Sequence, residues 1–161
     1  MGAGKTTIGR NLAKKLSMDF HDSDHEIEER TGADIPWIFE IEGEEGFRKR
    51  EASIIEELTK LENIVIATGG GAILDKANRI ALQQNGIVFY LNSSAEKILK
   101  RTQTDKRRPL LQTKDRLARI KEILAERDPL YRDIADEIIQ TDKMSISHIV
   151  KFIINKVSSD E

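Results

Sequence analysis

The chain is predicted to be an α/β protein, a single domain in three layers with helices on both faces of a parallel sheet. Three observations predict this. Short apolar runs of strand length alternate with longer segments of helical period, and strands separated by helices pair in parallel. Glycine-rich turns sit at 2–4 and 69–71, one opening a helix and one closing an apolar run, where ligands bind in open α/β sheets. The length of 161 residues suits one domain with a sizeable core.

The elements follow in order. Residues 5–16 place Ile8, Leu12 and Leu16 at helical spacing among basic residues. DFHDSD (19–24) is expected to be a short strand running into an acidic turn. Helices are expected at 23–31 and 43–60, with a shorter one within 33–43 that carries Pro36 near its first turn. NIVIATGGG (63–71) reads as a buried strand followed by a glycine turn, 75–84 as a helix, GIVFYL (86–91) as a second buried strand and 94–102 as a helix. KRRPLLQTKD (106–115) breaks the pattern and reads as a loop. Helices at 115–127 and 129–134, a weak strand at 136–141 and a helix at 145–157 complete the chain.

Composition excludes several classes. A net charge of −2 and a pI of about 6.0 point to neither nucleic acid nor an anionic membrane as an obligatory partner. The absence of cysteine excludes disulfides, cysteine-held zinc and thiol catalysis, and agrees with a reducing, cytoplasmic setting. No apolar run approaches the roughly 20 residues of a membrane helix. The three histidines lack metal-ligand spacing. MGAGKT also matches a loose myristoylation pattern, but a phosphate loop accounts better for the same residues.

The loop G-A-G-K-T-T leads straight into an amphipathic helix. The full phosphate-loop pattern is G-x-x-x-x-G-K followed by Ser or Thr, and its opening glycine would fall before Met1. In such a loop backbone N–H groups approach phosphates, Lys5 bridges phosphate oxygens and the Thr6 hydroxyl ligates magnesium. Asp22 and Asp24, two apart on an expected strand, would face one site, one near magnesium and the other holding or deprotonating an alcohol. Taken alone, D-S-D also fits a turn or helix cap. Three consecutive glycines at 69–71 expose backbone N–H groups to a ligand. Arg48 stands three residues before Glu51, Arg108 before Pro109 in the lid-like loop, and Arg127 near a helix end.

In this order and spacing, M-G-A-G-K-T-T-I-G-R, D-S-D, G-F-R-x-x-E, T-G-G-G, R-P-L-L and R-x-P-L-Y-R resemble shikimate kinase over residues 1 to about 141. The resemblance implies a P-loop kinase fold with strand order 2-3-1-4-5 and a mobile lid at about 104–114. It implies transfer of a phosphoryl group from MgATP to the 3-hydroxyl of shikimate, on the way to chorismate and the aromatic amino acids. By the same resemblance Gly2, Ala3, Gly4, Lys5, Thr6 and Thr7 hold the nucleotide phosphates, and Thr6 with Asp22 serves magnesium. Asp24 holds the shikimate hydroxyl and is the candidate base. Arg48 and Arg127 grip the shikimate carboxylate with Glu51 in support, and Gly69, Gly70 and Gly71 form the backbone platform. Arg108 folds over the transferring phosphate, Arg101 lies near the adenine, and the 141–144 loop closes over the adenine ring. The expected protein is a monomer.

Two rival readings remain at this point. One is another small-molecule kinase on the same fold, acting on gluconate or a nucleoside monophosphate. The other is a nucleotide-binding module without catalysis. In the implied strand order the strand before the phosphate loop lies between those at 64–67 and 87–91. Residues 1–161 are therefore expected to be a single domain truncated at its N-terminus, with an open slot between these two strands.

Overall fold

The computed structural model describes residues 2–159, so Met1 of the loop motif lies outside the described residues. Four strands and seven helices alternate: α1 (Lys5–Leu16), β1 (Asp19–Asp22), α2 (Ser23–Thr31), α3 (Ile35–Leu58), β2 (Ile64–Ala67), α4 (Lys76–Asn85), β3 (Phe89–Asn92), α5 (Ala95–Thr102), α6 (Arg116–Ile134), β4 (Glu137–Gln140) and α7 (Ile146–Ser159). Short 3-10 turns occupy Gly70–Leu74, Pro109–Leu111 and Thr141–Lys143. No helix among the described residues is long and apolar enough to cross a membrane.

Alternation along the strands builds the layers. Val65, Phe89 and Leu91 pack with α1 and α7 around Ile8, Leu12, Ile149 and Ile153. Ile64 and Ile66 point the other way, onto Ile27, Ile54 and Leu58 of α2 and α3. Tyr90, on that second face, meets Tyr131 of α6. A third cluster, Ile98, Leu111, Ile120 and Ile123, joins α5, α6 and the 109–111 turn. Leu111 is fully buried there and pins one end of the lid segment.

All pairing is parallel, in two separate pairs: β1 with β2, and β3 with β4. β2 and β3 do not pair. Between them lies a slot of about 640 Å³, walled by both strands, by Ile8 and Leu12 of α1 and by Ile153 and Val157 of α7. The expectation of unpaired strands facing across a gap therefore holds.

Three local expectations are corrected. β1 ends at Asp22, whose carboxylate accepts from the N–H groups of Asp24 and His25 and caps α2. Asp24 is thus in the first helical turn, and strand alternation is not what aims it. α6 runs unbroken through Pro129, so Arg127 lies well inside the helix. Proline there removes one helical hydrogen bond, and burial of Ile123, Arg127 and Ile134 on the inner face outweighs the loss. The two helices expected within 33–60 are continuous in hydrogen bonding but break at Gly43, whose φ of 70° is left-handed. Arg50 bridges that break with a two-pronged ion pair to Glu42 at 2.8 and 2.6 Å.

Candidate active site

α1 begins as an anion site. Gly2 and Gly4 have φ of 59° and 86°, a conformation that favours glycine. No side chain caps the helix and no acidic residue lies in its first turn, so its leading N–H groups stay open for negative charge. The Thr6 hydroxyl donates to Asp22 Oδ2 at 2.7 Å, joining the helix start to the end of β1. Burial lowers the Lys5 pKa and nearby Arg108 lowers it further, while Asp24 and Asp22 oppose them. Lys5, Asp22, Asp24 and Arg108 therefore share one electrostatic neighbourhood.

Beside this lies a cavity of about 410 Å³. Thr6, Asp22 and Asp24 line it from one side, Arg48 and Glu51 from α3, and Arg127 from α6. The three glycines and Arg108 of the lid segment complete it. Glu51, 1% exposed, accepts from Arg48 Nη1 at 2.8 Å, and Glu44 receives the other prong at 3.2 Å. The Arg48 guanidinium also covers the Phe47 ring, 5.2 Å from its centroid. Arg127 is 5% exposed.

The glycine turn fits these side chains closely. A Cβ at Gly69 would come within 2.5 Å of Asp24 Oδ1 and 2.9 Å of Glu51 Oε2, and one at Gly71 within 2.3 Å of Arg48 Nη1. Asp24 Oδ1, Glu51 Oε2, Arg48 Nε and Arg127 Nε are all buried without a hydrogen-bond partner among the described residues. Buried polar atoms ordinarily find partners, so four orphans converging on one cavity mark a place for a polar ligand. Burial, followed by Asp22, raises the Asp24 pKa against Lys5, Arg108 and Arg48. Burial likewise pushes Glu51 up to about 7 despite Arg48.

Most of the residues singled out in the sequence meet here. Arg101 does not line the cavity; it donates to the Gly2 carbonyl at 3.1 Å and braces the phosphate loop from behind. Thr7 is exposed, and Ala3 is buried in the loop. Arg108 is held by Asp105 at 3.1 Å. The 141–144 segment is fastened by Thr141 to the Asn92 carbonyl and by Asp142 to Ser93 and Ser94. Two contributors were not read from the sequence. Ser23, fully buried, accepts the Gly69 N–H at 2.9 Å, and the Tyr131 hydroxyl donates to the Gly70 carbonyl. Ser23 is masked by the acidic residues around it, whereas Tyr131 is visible in the R-x-P-L-Y-R string without a role.

A parallel-sheet fold with an anion-binding helix start, a basic lid and an acceptor pocket beside them defines a small P-loop phosphotransferase. The profile of the shikimate kinase family matches residues 1–158. A shikimate kinase of Thiobacillus denitrificans is 54% identical over 157 residues, covering 98% of this chain and 86% of that protein. Shikimate kinase 1 of an Enterobacter species is 53% identical over 161 residues, covering 99% and 93%. Among solved structures, shikimate kinase from Acinetobacter baumannii in complex with shikimate superposes with a TM-score of 0.97 at 50% identity, over 100% of this chain and 90% of that one. The chain belongs to the shikimate kinase family.

Proposed function

We propose that this chain transfers the γ-phosphoryl group of ATP to the 3-hydroxyl of shikimate, giving shikimate 3-phosphate for chorismate biosynthesis. The observation that carries this reading is the convergence of Arg48, Arg127 and Asp24 on one cavity beside the open start of α1. Shikimate is a small carboxylate with adjacent hydroxyls. Two guanidiniums give its carboxylate a forked, oriented grip, and the orphaned Arg48 and Arg127 nitrogens are suited to it. Asp24, close to the Lys5 charge, accepts the hydrogen bond of the reacting hydroxyl and takes its proton.

Phosphoryl transfer asks chiefly for positioning and charge stabilisation. The α1 N–H groups and Lys5 hold the phosphates, and Arg108 meets the charge of the transferring group. Closing of the 104–114 segment over the cavity excludes water, a competing acceptor. Thr6 and Asp22 offer two oxygen donors 2.7 Å apart, a set suited to magnesium, which takes most of its other ligands from phosphate and water. Bound there, the ion would neutralise phosphate charge.

The test is ADP release from ATP with shikimate, with gluconate, with a nucleoside monophosphate and with no acceptor. Dependence on shikimate supports the reading, and release that ignores the acceptor defeats it. No release at all leaves only the non-catalytic alternative.

A further inference from the structure

The glycine turn is fastened from two sides. Ser23 of α2 takes the Gly69 N–H, and Tyr131 of α6 gives its hydroxyl proton to the Gly70 carbonyl. The N–H groups of Gly70 and Gly71 make no hydrogen bond among the described residues. They remain available to a ligand in the cavity they line.

Tyr131 sits one helical turn after Arg127, on the same face of α6. Arg127 is near enough to the phenol to favour its charged form against the effect of burial, and Glu51 and Arg48 also act on it. Its ring stacks at 4.8 Å on Tyr90, whose hydroxyl donates to Asp128 at 2.8 Å, and Asp128 pairs with Arg132 at 2.7 Å. The ring is therefore held by β3 and α6 while its hydroxyl holds the turn. It lines the slot between β2 and β3 and reaches the acceptor cavity through Gly70, which borders both.

We propose that Tyr131 is a positioning residue of the acceptor pocket, its hydroxyl fixing the Gly70 peptide in register with Arg127 so that turn and guanidinium bind one acceptor together. The proposal rests on the shikimate reading given above. A tyrosine serving only the core would contribute through its ring, which phenylalanine keeps. A positioning tyrosine contributes through its hydroxyl, and its loss appears in acceptor binding and not in nucleotide binding.

The experiment compares the unsubstituted chain, Tyr131→Phe and Tyr90→Phe in steady-state kinetics and in shikimate binding by calorimetry. Tyr131→Phe is expected to raise the shikimate KM and Kd by roughly three- to tenfold, the size of one hydrogen bond, with kcat and the ATP KM within about twofold. Tyr90→Phe, which spares the Gly70 contact, should leave the shikimate KM within about twofold. The chain has two tyrosines, so Tyr90→Phe protein grown on 3-fluorotyrosine reports on position 131 alone. Its fluorine resonance should shift with saturating shikimate, a readout that serves even where Tyr131→Phe fails to fold. A shikimate Kd unchanged by Tyr131→Phe, an equal loss in ATP binding, or a fluorine signal indifferent to shikimate overturns the proposal. Absence of shikimate binding by the unsubstituted chain defeats the functional reading and this proposal with it, whereas binding that survives Tyr131→Phe intact defeats this proposal alone.

Discussion

Replacing Glu51 by glutamine should change how stability depends on pH. Glu51 is buried, with Oε1 on Arg48, Oε2 without a partner, and the charges of Arg48, Asp24 and Arg127 facing it. Its pKa stands at about 7 in the fold against an ordinary 4.5, chiefly through burial. Between these values the folded chain keeps a proton that the unfolded chain gives up. Stability contributed by this group is therefore complete below about pH 4.5, falls as pH rises, and is gone above about 7. At about 1.4 kcal/mol per pH unit the whole change is roughly 3 kcal/mol, a large part of the ~5–15 kcal/mol that holds a domain together. Glutamine cannot titrate, so Glu51→Gln should gain about 2–3 kcal/mol relative to the native chain on going from pH 5 to pH 8. Its weaker, uncharged bond to Arg48 offsets the comparison by a constant. Urea unfolding of both proteins at several pH values, without ligands, measures the difference. Asp24 also titrates, but it is present in both proteins and cancels to first order. Stability curves that run parallel within about 0.5 kcal/mol from pH 5 to 8 would show that Glu51 does not titrate differently in the folded and unfolded chain.

The other predictions divide the labour of the site. Arg48→Lys should raise the shikimate KM by about tenfold with a smaller effect on kcat, because an ammonium cannot reproduce a guanidinium fork; steady-state kinetics with an unchanged KM would contradict this. Arg108→Ala should lower kcat by roughly 10²–10³, since the lid arginine acts on charge at the transferring phosphate. A kcat within about twofold, with only the shikimate KM raised, would show the division to be wrong. β2 and β3 face each other unpaired across the slot. An apolar extended peptide of about five residues, fused ahead of Met1, is expected to pair there and to raise both urea midpoint and activity; an unchanged midpoint would contradict this.

What was legible in the sequence is what is encoded locally. The strand at 64–67 falls where its apolar run predicts, and α1 starts at Lys5 directly after the glycine loop, because period and glycine placement are properties of neighbouring residues. The unpaired strands flanking the slot also followed, once strand order was granted. The weaker readings concern competition between local signals and packing. Pro129 suggests a helix end, but α6 continues because its inner face is buried. D-S-D suggests two carboxylates aligned along a strand, but Asp22 caps a helix and Asp24 reaches the site from that helix. Contacts spanning long stretches of chain were not legible at all. Ser23 meets Gly69 across 46 residues and Tyr131 meets Gly70 across 61, and no local pattern marks either.

On the proposed function, the cavity beside α1 binds shikimate as the acceptor of a phosphoryl group. ADP formation from ATP by the purified chain, followed by a coupled assay with the acceptor and magnesium varied independently, decides this. ADP release is expected to require both shikimate and magnesium, with one shikimate 3-phosphate formed per ADP. Equal release with gluconate or a nucleoside monophosphate in place of shikimate would contradict it.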